Sequence, residues 1–153
     1  MAVIAAGQPV LRAGSSPGEV ALAAERAFLA MCLASGELGQ DYLRRLSDDH
    51  LSSAATREAR EHFVSRFDDP LAELPQDDPA VAALITGVAM AAQEQAEATE
   101  PALRMSFLQL EQRRIEREIR RAANDSDLAR VGQLAGARQE IRREMDTVMG
   151  QTA

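Results

Sequence analysis

The chain has 153 residues, 24 of them acidic and 17 basic, for a net charge of −7. Every basic residue is Arg, 29 residues are Ala, and aromatic side chains make up only 3%. Few aromatic and β-branched residues, with much Ala, Leu, Arg, Glu and Gln, argue against a β sandwich, a barrel or a Rossmann domain and favour helix.

A chain of this length buries roughly 70% of its unfolded surface, which is enough for one core. The single cysteine, Cys32, cannot make an internal disulfide or a cysteine-rich zinc site. The acidic balance argues against a free-standing nucleic-acid binder, whose footprint is basic. No apolar run approaches the ~20 residues of a membrane span. Met1 to Ala6 lacks the basic start of a signal peptide. The expectation is a cytoplasmic, all-α protein.

Residues 1–18, with Gly7, Pro9, Gly14, Ser15, Ser16, Pro17 and Gly18, have linker composition. Helical periodicity starts at Glu19, with Val20, Leu22, Ala23, Ala27, Phe28, Ala30, Met31 and Leu33 on one face. Gly36 reads as the helix ending. A short second helix covers Leu38 to Leu46, and Ser47 to His50 reads as a turn. Ser52 or Ser53 caps a third helix that runs to about Phe67. Pro70 and Pro75 interrupt the chain. Asp77 or Asp78 caps a fourth helix, with Pro79 in its first turn, running to about Ala98. Gly87 within it suggests a close helix crossing.

Thr99 is a good cap for a long helix reaching about Ala123. Asn124, Asp125 and Ser126 form a polar break, with Ser126 as the next cap, and a last helix runs from Asp127 to about Met149. Two such helices with so short a break predict an antiparallel hairpin. Its facing stripes are Leu103, Phe107, Leu110, Ile115, Ile119 and Ala122 against Leu128, Val131, Leu134, Ile141, Met145 and Val148. Charge divides at the same place. Residues 1–100 hold 16 acids and 7 Arg, and residues 101–153 hold 8 acids and 10 Arg. The expected organisation is a linker over 1–18, a small helical bundle over 19–99 and a hairpin over 100–150.

Candidate chemistry is sparse. His62 pairs with Glu58 at helical spacing, but a metal centre needs three or four converging ligands, so no metal or cofactor is expected. Cys32, between Met31 and Leu33, reads as a buried structural thiol. The pairs Asp48–Asp49, Asp68–Asp69 and Asp77–Asp78 sit beside helix ends or prolines, where Asp caps and turns belong. No phosphate loop or nucleophile elbow is present, and no catalytic residue is assigned. The most distinctive run is Glu111–Arg121, echoed by Arg138, Arg142 and Arg143. Glu–Arg pairs three and four apart explain part of it, at ~0.2–0.5 kcal/mol each. Interleaved Glu and absent aromatics disfavour nucleic acid. Arg and Met enrichment with no Lys suits a protein interface.

Three segments resemble the C-terminal, helicase-binding domain of bacterial DNA primase of the DnaG type. The first is Glu25–Ala30. The second is Ser52-Ser53 with Arg57, Ala59, Asp69-Pro70, Leu74-Pro75 and Asp78. The third is Leu108–Ile119, followed by Asp125-Ser126-Asp127 and the Leu134–Met149 helix. The resemblance spans about residues 19–150. It implies a helical bundle followed by a hairpin that docks on the N-terminal domain of the hexameric replicative helicase and couples primer synthesis to the fork. It also implies a non-catalytic piece of a primase whose zinc module and catalytic core are not in this sequence.

On that reading, the residues expected to bind the partner, chosen by Arg and Met chemistry, are Arg138, Arg142, Met145, Asp146 and Met149. Arg117 and Arg121 are secondary. Neither direct nucleic-acid binding nor membrane contact is expected, and a homodimer by hairpin swapping is open. Alternatives are the helicase's own N-terminal domain, a regulatory helical adaptor, and a small helical enzyme using Asp68, Asp69 or Glu58 with His62.

Overall fold

The structure is a computed structural model and describes residues 16–152. Among these it is all-helical, with six α-helices: α1 (Pro17–Leu33), α2 (Gly36–Arg45), α3 (Ala54–Ser65), α4 (Pro79–Gln93), α5 (Glu100–Asn124) and α6 (Leu128–Thr152). None is long and apolar enough to cross a membrane. Two compact units are present, one ending at Thr99 and one starting at Glu100. Most of the stretch with linker composition lies outside the described residues. Its last two residues, Pro17 and Gly18, are already helical, because Ser16 accepts the Glu19 amide at 3.2 Å and Pro17 suits a first turn.

In the first unit, α1 packs on α2, α3 and α4, and α3 packs on α4. Phe28, Leu29, Tyr42, Leu43, Leu51, Phe63 and Ile85 are buried here. Each such side chain contributes about 1.5–3 kcal/mol by leaving water. Gly36 does have a left-handed backbone, with φ +57°, but it opens α2 instead of following α1. The close helix approach is at Gly39. A Cβ there would lie 1.9 Å from the Cys32 carbonyl oxygen, so only glycine lets α2 lie on α1. Gly87, expected to serve a crossing, faces open space. Ser53 caps α3, accepting the Thr56 amide at 3.1 Å, and Asp78 caps α4, accepting the Val81 amide at 3.2 Å. Helix α4 stops at Gln93, short of the expected Ala98.

The second unit is the α5–α6 pair. Leu108, Ile115 and Ala122 recur every seven residues, as do Leu134, Ile141 and Val148, and the six form one buried cluster. Met105, Ile119, Val131, Ala137 and Met145 pack against it. A seven-residue repeat keeps a seam in register along two helices. The expected stripe was partly misplaced. Leu103 and Leu110 are buried but lie outside this cluster, and Phe107 is half-buried. Leu110 is two residues, about 200°, round the helix from Leu108, which takes the seam position. Leu128 is 80% exposed. Counting back by seven from Leu134 reaches Asp127, so Leu128 points about 100° away.

The break between α5 and α6 closes α5 with two reversed bonds, Asp127 N–H to the Ala122 carbonyl at 2.9 Å and Ser126 N–H to the Ala123 carbonyl at 3.0 Å. This is the Schellman geometry, and Ser126 holds the left-handed position at φ +57°. The cap of α6 is therefore Asp127, not Ser126, and its carboxylate accepts the Arg130 amide at 3.1 Å.

Candidate functional site

The Arg-rich surface belongs to the second unit. Within α5, Arg114 reaches Glu111 at 3.4 Å and Glu118 at 3.2 Å. Two pairs cross between the helices, Glu118–Arg130 at 3.5 Å and Arg104–Glu144 at 3.5 Å. On α6, Arg143 holds Glu140 at 2.5 Å. These bonds commit much of the charge to the hairpin itself. Exposed pairs of this kind contribute only ~0–1 kcal/mol each, so they set register more than stability.

The seven residues expected to bind a partner divide into groups. Arg142, Asp146 and Met149 are exposed and follow one another at four- and three-residue steps, a single strip of α6. Arg138 and Met145 border it and are half-buried. Met145 rests on the hairpin cluster, so much of its surface is already used. Arg117 on α5 is half-buried, and Arg121 is exposed. The cross-helix pairs place Arg117 and Arg121 level with the first turns of α6, far along the hairpin from Met149. Arg121 instead lines a shallow cavity of about 210 Å³ at the turn, with Glu118, Ala122, Asp125, Asp127 and Arg130. Charges of both signs surround it, which suits neither an anion nor a cation alone.

On the α6 strip the charge is uncommitted. The guanidinium groups of Arg138 and Arg142 and the carboxylate of Asp146 make no hydrogen bond or ion pair among the described residues, whereas neighbouring Arg143 does. Met149, 60% exposed, supplies an adaptable apolar end.

No family model, curated protein or solved structure matches this chain.

Several other ionisable groups are engaged elsewhere. His62 Nε2 donates to the Pro70 carbonyl at 2.8 Å and so ties α3 to the loop that follows. In that loop Arg66 pairs with Glu73, and its guanidinium holds the Glu73 carboxyl below the usual range. Arg60 bonds the Leu46 carbonyl at 2.8 Å and Asp48 at 2.5 Å. Burial pushes the Cys32 thiol far above its ordinary value, as expected for a structural cysteine. No group of three or more His, Cys, Asp and Glu among the described residues could hold a metal ion.

Glu25 carried no assigned role in the sequence. Its side chain, 1% exposed on α1, accepts the Ser52 amide at 2.6 Å, the Ser52 hydroxyl at 2.6 Å and the Thr56 hydroxyl at 3.4 Å. A carboxylate held there also meets the positive end of α3. This clasp joins the first two of the three segments that carry the resemblance. A Glu on an otherwise apolar face, with a Ser-Ser pair ahead of a helix, was the signal available in the sequence.

Proposed function

We propose that this chain is the helicase-binding domain of a bacterial DNA primase, a non-catalytic adaptor that brings primase to the hexameric replicative helicase. The observation that carries the reading is the α6 strip of Arg142, Asp146 and Met149, exposed and with its charged heads uncommitted. Support also comes from the order of parts. A compact helical unit precedes a two-helix unit, which is the arrangement the resemblance implies.

In this mechanism α6 presents Arg142 and Met149 to a groove on the helicase N-terminal domain. An Arg fork gives planar, directional bonds to carboxylates or carbonyls, and Met fills an irregular apolar pocket. A few such anchors at the centre of an interface carry most of the affinity, often ≥ ~2 kcal/mol each. The domain recruits by protein contact, so its acidic balance is no obstacle to work at a replication fork.

A pull-down tests this. The tagged chain is expected to retain the cognate hexameric helicase and to lose it when the helicase lacks its N-terminal domain. Retention of neither form, or equal retention of both, contradicts the reading.

A further inference from the structure

The stretch between α4 and α5 is unwound against its own sequence. Glu94, Gln95, Ala96, Glu97 and Ala98 are strong helix formers with no Gly or Pro among them, yet α4 ends at Gln93. At those propensities, α4 is expected to run on until Thr99 and Pro101 stop it.

A tertiary contact holds the unwound form. Ser35, 1% exposed between α1 and α2, donates its hydroxyl to the Met31 carbonyl at 2.6 Å. The same oxygen accepts the Ala98 amide at 3.0 Å. Ser35 occupies the cap position of α2, where serine ordinarily takes an amide of its own helix, but its side chain makes no such bond. The hydroxyl has been diverted to the connector. A carboxylate lies beside it. The Glu97 carboxylate stands 3.9 Å from where a Gly36 Cβ would be, at the first residue of α2, and a negative charge is favoured at a helix start.

We propose that residues 94–99 are a two-state connector, latched unwound by Ser35 and Glu97, and rewinding as a continuation of α4 when the latch opens. Each state satisfies its polar groups. Latched, Ser35 takes the Ala98 amide and Glu97 faces α2. Released, the amides of Glu94 and Gln95, which now reach back only three residues to the Ala91 and Ala92 carbonyls, and those of residues 96–98 take up regular helical bonds, and the Ser35 hydroxyl is available to cap α2. The balance is close because about one net hydrogen bond, ~1 kcal/mol, opposes the helix propensity of a few residues.

The test is NMR on the full chain with Ser35→Ala, reading the Cα shifts of residues 94–98. Losing one net bond of ~1 kcal/mol is expected to raise the ratio of rewound to latched connector about fivefold and move those shifts toward helical values. Glu97→Ala, which leaves the buried serine in place, is expected to move them in the same direction by less, and it decides the matter if Ser35→Ala fails to fold. Shifts that stay at their original values, or move to random-coil values, overturn the proposal.

Discussion

Gly39 and Cys32 meet where α2 rests on α1. The distance of 1.9 Å from a would-be Cβ to the Cys32 carbonyl oxygen involves rigid backbone on both sides, so no rotamer can relieve it. Gly39→Ala is expected to cost about 1–3 kcal/mol, the scale of overpacking in a closed core, read as a lower urea midpoint with unchanged slope. Cys32, fully enclosed there, gives a pH-dependent contribution of definite sign. Its folded thiol ionises well above the ordinary value of 9.0. The buried neutral thiol therefore supports the fold fully below that value, and the support is lost as pH rises beyond it while the unfolded thiol ionises. Stability measured by urea titration should fall above pH ~9 and do so less in Cys32→Ala. The buried cysteine was legible from its place between Met31 and Leu33. The glycine was not, since nothing in Gly36-Glu37-Leu38-Gly39 tells which residue meets a carbonyl on another helix.

At the scale of elements, the helices were legible where local chemistry decides them. Ser53 and Asp78 are caps followed by helix formers, and α3 and α4 begin at them. The failures have tertiary causes. Helix α4 ends early because the Ala98 amide bonds Ser35, 63 positions away in sequence. The seam of the hairpin shifted because Leu103, Leu108 and Leu110 offer competing stripes, and only the pairing with α6 selects the seven-residue one. The turn is a third case. Ser126 holds a left-handed backbone that L side chains adopt at a cost of roughly 1 kcal/mol. Ser126→Gly, with Asp127 left to cap α6, is expected to raise stability by about 0.5–1 kcal/mol, seen as a higher melting temperature.

At the scale of the molecule, the chain places a neutral-to-basic hairpin after an acidic bundle, and the docking reading rests on the surface of α6. That surface was partly legible. Arg142, Asp146 and Met149 share a strip by helical spacing alone. The division of the remaining Arg was not, because the partner of Arg130 lies across the hairpin on Glu118 and that of Arg104 on Glu144. Calorimetric titration of the chain into the hexameric helicase, for the wild type and for Arg142→Ala with Met149→Ala, tests the central claim most directly. The account predicts saturable binding by the wild type and at least about a tenfold weaker Kd for the double variant, with far-UV circular dichroism unchanged. Equal affinity of the two, or no binding by the wild type, would contradict it.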